Sequence, residues 1–181
     1  MNPAPKLLVC MGVSGSGKST LAAALAGRFR LGLLEADDLH PPANRAQMAA
    51  GMPLTDALRE PWMDSVCAAL RLRCEQGEDC VLACSALRKA HRQQIRSQGY
   101  VTLFLHLQGD RHLIAGRLQG RRGHYFPAGL LDSQYQDLQP TAGEPDVVAV
   151  DIGPGLPTVV AASVEAVRAF LQRTANGEPI A

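Results

Sequence analysis

The chain predicts a three-layer α/β domain built on a five-stranded parallel sheet, and three observations lead there. Short apolar runs alternate with stretches of helical periodicity. Most of those runs are apolar at nearly every position, as strands covered by helices on both faces must be. The first run also leads straight into a glycine-rich loop of the kind that opens a helix around phosphate.

Taken in order, the first strand is residues 7–11, Leu7-Leu8-Val9-Cys10-Met11, and the helix behind the glycine-rich loop covers 19–29. A second strand, Gly32-Leu33-Leu34-Glu35, precedes a Pro-, Ala- and Met-rich insertion over about 37–62, with a helix expected over 61–76. Strands at 80–84 (Cys-Val-Leu-Ala-Cys) and 101–105 (Val-Thr-Leu-Phe-Leu) flank a helix over 89–97, and another helix covers 111–119. A Gly- and Arg-rich stretch with aromatics, about 119–131, interrupts the repeat. The last strand is 147–150, followed by a helix over 158–173. There Val160, Val164, Val167 and Leu171 recur at helical spacing and make one apolar stripe. In a doubly wound sheet the two insertions belong at the carboxyl edge, where ligands bind. The expected organisation is one domain over 1–181, with a frayed tail at 174–181.

Composition narrows the function. The 181 residues carry 18 Lys+Arg against 17 Asp+Glu, a net charge of +1, with 46% hydrophobic and 19% charged residues. That excludes a disordered or fibrous chain. It also argues against a dedicated nucleic-acid binder, whose phosphate contacts need surplus cations. No apolar run approaches the roughly 18–20 residues of a membrane span. The opening Met1-Asn2-Pro3-Ala4-Pro5-Lys6 lacks a signal peptide's layout, so a cytoplasmic protein is expected. The five cysteines (Cys10, Cys67, Cys74, Cys80, Cys84) are odd in number and form no C-x-x-C pair, which suits reduced thiols. His40, His91, His106, His112 and His124 are scattered, and no spacing indicates a protein-ligated transition metal.

The sharpest motif is Gly12-Val13-Ser14-Gly15-Ser16-Gly17-Lys18-Ser19, a match to G-x-x-x-x-G-K-[ST] set between a strand and a helix. Glycines let the backbone wrap so that its N–H groups face phosphate oxygens, and the helix adds its positive end. Gly12, Ser14, Gly15, Ser16, Gly17, Lys18, Ser19 and Thr20 are therefore the expected ATP contacts. Lys18 reaches the β- and γ-phosphates, and the Ser19 hydroxyl ligates Mg²⁺. A dinucleotide fingerprint is rejected, because Gly15-Ser16-Gly17-Lys18-Ser19-Thr20 holds only its first two glycines. The base-reading N-K-x-D of GTPases is absent. An AAA-type or helicase engine would carry an acid closing an apolar strand, and the third strand ends Ala83-Cys84-Ser85. Small size plus an Arg-rich, lid-like segment points to a small-molecule kinase, which must exclude water during transfer.

At this point the chain resembles the gluconokinase family of the thermoresistant, phosphate-loop type, which is related to shikimate and nucleoside-monophosphate kinases. The resemblance rests on Met11 through Ser19; on Asp37-Asp38-Leu39-His40-Pro41 with Asn44 and Met48; and on Gly51-Met52-Pro53-Leu54-Thr55-Asp56. It continues in Arg59-Glu60-Pro61-Trp62 with Cys84-Ser85-Ala86-Leu87-Arg88-Lys89, and in Arg117-Leu118 through Arg121-Arg122-Gly123-His124-Tyr125-Phe126 to Leu130-Leu131 and Ser133-Gln134. Together these blocks reach from about 7 to 151. The resemblance implies a P-loop kinase fold with a helical substrate-binding insertion and a lid. It further implies ATP- and Mg²⁺-dependent phosphorylation of D-gluconate on its terminal hydroxyl, giving 6-phospho-D-gluconate, and a homodimer. Several positions depart from the family pattern: Glu35-Ala36-Asp37 replaces D-G-D, Asp56-Ala57-Leu58-Arg59 shortens an acidic run, and Gln47 and His91 replace a Lys and a Tyr. These changes bear on acceptor preference more than on ATP use. A kinase for another small acid such as shikimate is one alternative, and a nucleotide-binding regulatory module without turnover is another.

Individual residues follow. Asp37, at the end of the second strand, is expected to orient the attacking hydroxyl and take its proton, or else to cap a helix. Arg59 is the candidate for the acceptor's carboxylate, against an ion pair with Glu60 or Asp56. His40 donates to a substrate hydroxyl or is structural, Ser85 borders the substrate, and Trp62 is structural. In the lid, Arg121, with Arg122, reaches the transferring phosphoryl group, and Arg117 lies against adenine; a solvated helix face is the rival. His124 holds a family position among the substrate contacts. The loop after Asp151 lines the adenine pocket, and His106 and His112 are ordinary structural or surface residues.

Overall fold

The structure, a computed structural model, describes residues 4–120 and 128–178. Strands β1 (Lys6–Met11), β2 (Gly32–Glu35), β3 (Cys80–Ala83), β4 (Val101–Gln108) and β5 (Val147–Asp151) form one sheet in the order β2-β3-β1-β4-β5. Every pairing is parallel. The helices are α1 (Lys18–Phe29), α2 (Pro42–Ala49), α3 (Asp56–Glu75), α4 (Lys89–Arg96), α5 (Arg111–Gln119), α6 (Ala128–Asp137) and α7 (Leu156–Ala175), with a 3-10 turn at Ala36–Leu39. The expected three-layer α/β architecture is what forms.

Strand periodicity explains the layers. Alternate residues of β1 face opposite ways. Leu8 and Cys10 join Leu21 and Leu25 of α1, Ile114 and Leu118 of α5, and Val167 and Phe170 of α7. Leu7, Val9 and Met11 join Met63, Val66 and Leu70 of α3 and Ile95 of α4. The half-exposed edge strands β2 and β5 are the exceptions to the all-apolar pattern.

β1 sits between β3 and β4, with Cys10 beside both Ala83 and Leu105. The chain leaves β1 toward one edge of the sheet and β4 toward the other, so the loop after β1 opens at the switch point, where α/β sheets bind ligands. Backbone bonds extend the ladder past the strand ends: Cys84 N donates to Cys10 O at 3.1 Å and Gly12 N to Ser85 O at 3.2 Å. Ser85 is thereby fixed beside the glycine-rich loop.

Several boundaries differ from the sequence reading. α3 begins at Asp56 rather than 61 and contains Pro61. The missing proline N–H leaves only the carbonyl of exposed Ala57 without its helical donor, a loss water can make good. β4 runs on to Gln108, which places His106 in the sheet, 4% exposed. The insertion folds as the 3-10 turn and α2, and α6 follows the glycine-rich stretch. α7 runs to Ala175, and Glu178 N still donates to Arg173 O at 3.0 Å, so the expected fraying at 174 does not begin there. Cys10, Cys67, Cys80 and Cys84 are buried free thiols, and Cys74 is half-buried. Burial pushes the Cys84 thiol up to about 12. Among the described residues no helix is long and apolar enough to cross a membrane.

One charged cluster is built into the core. Arg92 is fully buried and pairs with Glu144 at 2.5 Å, while Arg96 pairs with Glu144 and with Asp146. Hydrogen bonds from Arg92, opposed by burial and reinforced by Arg96, hold the Glu144 carboxyl down to about 2. A depressed carboxyl adds stability above its ordinary range and loses it as pH falls toward the folded value. Glu144→Gln is therefore expected to lower the melting temperature at neutral pH, with the gap to the parent closing between about pH 5 and about pH 2. Arg92→Met, which leaves Glu144 with Arg96 alone and strips the buried carbonyls of Ala86 and Leu87 of their donor, is expected to cost about 3 kcal/mol or more in urea unfolding.

Candidate active site

The glycine-rich loop is shaped by contacts only glycine tolerates. Gly12 has φ +140°, and a Cβ there would lie 2.8 Å from the Leu107 carbonyl oxygen. Gly15 has φ +81°, and its Cβ would lie 2.7 Å from Leu118 Cγ. Ser16 N donates to Val13 O at 3.2 Å, and the Ser16 hydroxyl is buried without a partner. α1 starts at Lys18 with no acid in its first turn, so its positive end faces the loop unopposed. The Lys18 ammonium folds back on Val13 O at 3.1 Å. The Ser19 hydroxyl donates to Glu35 Oε2 at 3.0 Å. Burial raises the Glu35 carboxyl, Ser19 opposes the shift, and Asp37 and Asp38 add to it.

On one side of the loop, a cavity is lined by Gly15, Ser16, Gly17, Thr20, Arg117 and Ile152. Arg117 is held there by donating to Ile152 O at 2.9 Å, so both the arginine and the loop after β5 border the space expected for adenine.

On the other side, a second cavity of about 120 Å³ gathers Ser14, Lys18, Asp37, His40, Arg59 and Ser85, residues that come from four separate segments. Asp37 lies inside the 3-10 turn, whose N-cap is Glu35, while α2 is capped by Pro41. Capping is thus not its task. His40, 5% exposed, stacks on Trp62 with ring centres 4.4 Å apart, and burial lowers its pKa while Asp37 works against the shift. Trp62 in turn donates to Ala36 O at 2.7 Å, tying α3 to the turn that carries Asp37. Trp62 therefore has a structural role and lines the cavity as well.

The cavity also holds residues to which the sequence reading assigned no role of their own, Arg88, Ser133, Gln134 and Asp137, together with His91, one of the departures from the family pattern. His91 meets Trp62 edge-on, and burial, then Arg88 and Arg59, lower its pKa. Gln134 of α6 accepts from Ser14 N at 2.6 Å and donates to Ser14 Oγ at 2.9 Å, which bolts α6 to the phosphate loop. Asp137 bridges Arg59 at 2.7 Å and Arg88 at 2.7 Å, and Asp56 closes the group at 2.6 Å from Arg88. Arg59 thus sits among ion pairs, including one to Asp56 at 3.5 Å, and still faces the cavity. Burial works to raise the Asp137 carboxyl, but Arg88 and Arg59 outweigh it and hold it below the usual range. Arg121, Arg122 and His124 lie outside the described residues, as does most of the expected lid.

Known proteins resemble this chain over most of its length. Residues 7–141 match the family model described as "AAA domain", a stretch containing the loop and every residue lining the second cavity. The acid whose absence argued against an engine of that name is still missing, since β3 runs into Cys84 and Ser85. The chain is 43% identical to the gluconokinase of Gluconobacter oxydans over 81% of its own length and 82% of that protein. It is 39% identical to the thermoresistant gluconokinase of Escherichia coli over 90% and 93%. The crystal structure of a gluconokinase from Sinorhizobium meliloti superposes with a TM-score of 0.81 at 37% identity, covering 97% of each chain.

Gly15→Ala tests the loop directly. Its positive φ and its contact with Leu118 put the strain at about 1–2 kcal/mol, and ADP affinity by calorimetry is expected to weaken roughly tenfold.

Proposed function

The chain belongs to the gluconokinase family, and from that premise we propose that it transfers the γ-phosphoryl group of ATP to the terminal hydroxyl of D-gluconate, giving 6-phospho-D-gluconate. The observation that carries the proposal is one shared cavity: Lys18 of the phosphate loop, Asp37 and Arg59 all line it. Phosphoryl transfer asks the protein for positioning and charge stabilisation, and those three residues supply both between them.

The division of labour follows from chemistry. Loop N–H groups and the start of α1 hold the phosphates, and Lys18 turns from Val13 O toward the β- and γ-oxygens. Asp37 accepts the hydrogen bond of the attacking hydroxyl, orients it and takes its proton. Arg59 faces the acid end of the acceptor, which a guanidinium suits. Ser85, fixed by the Gly12–Ser85 backbone bond, and His40, stacked on Trp62 with its pKa lowered by burial, offer polar contacts to the acceptor's hydroxyls. Arg117 packs beside the base. Arg121 and His124 complete the proposal from the lid segment, with Arg121 neutralising the transferring group.

Magnesium fits this donor set. The Ser19 hydroxyl and the Glu35 carboxylate, 3.0 Å apart beside the loop, are hard oxygen ligands of the kind Mg²⁺ prefers, with Asp37 on the following turn. Bound there, the ion would offset phosphate charge.

The test is ADP release with Mg-ATP against gluconate, shikimate, a stereoisomer of gluconate and a blank without acceptor. Strong gluconate-dependent release supports the proposal, and release that ignores every acceptor overturns it. Lys18→Ala and Asp37→Asn are each expected to lower kcat by roughly a thousandfold or more while the melting temperature holds. Full activity in Asp37→Asn would remove its assigned role.

A further inference from the structure

The acceptor cavity has an acid-recognising end where one carboxylate is already seated. Among its described lining residues Lys18, Arg59 and Arg88 are the always-charged cations. Lys18 belongs to the phosphate loop. The other two are joined by Asp137, whose Oδ2 accepts from Arg59 Nη2 at 2.7 Å and whose Oδ1 accepts from Arg88 Nη2 at 2.7 Å and Nε at 3.2 Å. One oxygen per guanidinium is how two arginines would hold an incoming carboxylate. Asp56 touches the same pair from outside. Its side chain is 64% exposed against 20% for Asp137, and only Asp137 lines the cavity.

Charge then decides which acceptor fits. With Asp137 in place, two guanidiniums face two carboxylates and the group is neutral. If Asp137 swings away, two guanidiniums face Asp56 alone, and one positive charge is left for one carboxylate. A neutral polyol could not replace the bonds it broke, so the exchange penalises polyols as well as favouring acids. Resting on the assignment of Arg59 to the acceptor's acid end, we propose that Arg88 is the second arm of that contact. Asp137 is then a resident carboxylate that the carboxylate of a monoanionic hydroxy acid displaces, which makes it a specificity-determining residue.

The two partners of the exchange have opposite signs, and that makes the test sharp. Asp137→Asn removes the competitor and is expected to lower the KM for gluconate about fivefold. Arg88→Gln removes an arm and is expected to raise it about tenfold or more, with Arg88→Lys in between. The KM for ATP is expected to stay within about twofold in all three, because none of these side chains belongs to the phosphate loop. A purely structural role would instead shift both KM values together with the melting temperature. A rise in gluconate KM for Asp137→Asn would overturn the displacement, and an unchanged gluconate KM for Arg88→Gln would overturn the second arm. Arg88→Gln needs no folded Asp137 variant and decides the matter from its own side. Failure of the underlying assignment looks different: the parent enzyme would phosphorylate no sugar acid, or Arg59→Gln alone would leave the gluconate KM untouched.

Discussion

A guanidinium with no exposure to water sets the geometry of the acceptor side. Arg92 donates to the carbonyls of Ala86 at 3.1 Å and Leu87 at 2.9 Å, just past β3, and to Pro140 O at 3.2 Å, just past α6. Ala86 is buried with φ +44°, a conformation costing an L-residue about 1 kcal/mol or more, so the turn needs an external hold. Arg92 supplies it, and Glu144 balances the charge. One side chain thereby spaces Ser85 and Arg88 on one side from Asp137 on the other. A buried charge is an expensive spacer, but its rigid fork reaches these three carbonyls and a carboxylate at once, which no apolar side chain could do.

The site divides by chemistry. On the phosphate side the proposed contacts are main chain and a helix end, which demand conformation, so that side is written in glycines. The cavity proposed for the acceptor is lined by side chains from the turn after β2, from α3, from the segment after β3 and from α6. α6 touches both halves: Gln134 grips Ser14 and, one turn on, Asp137 grips Arg59 and Arg88. Imidazoles of His40 and His91, pushed toward neutrality by burial, give the pocket polarity without competing for the acid.

Local signals carried much of this. Every strand and the phosphate loop were legible because their chemistry is contiguous: apolar runs, fixed glycine spacing, and a lysine placed by the loop itself. The start of α3 was misread because Pro61 looks like a helix boundary, whereas packing of Trp62 and Met63 against the sheet carries the helix through it. α6 has no long apolar stripe to announce it. Arg88, Gln134 and Asp137 act through tertiary contacts with residues dozens of positions away, and no local spacing encodes such pairs. Arg88 and Gln134 did stand inside blocks shared with the family, and that was the one signal able to flag them. Asp137 stood in none.

The backbone bond from Gly12 to Ser85 carries a mechanical consequence. A phosphoryl donor and its acceptor must be held within fractions of an ångström, yet the segments that hold them are far apart in the chain. Positional error accumulates along a flexible polymer, link by link. Here the phosphate loop and the loop carrying Ser85 continue adjacent strands of one sheet, and the 3.2 Å bond from Gly12 to Ser85 follows the 3.1 Å bond from Cys84 to Cys10. The register between these two loops is therefore set by the sheet itself and does not depend on the length of chain that separates them.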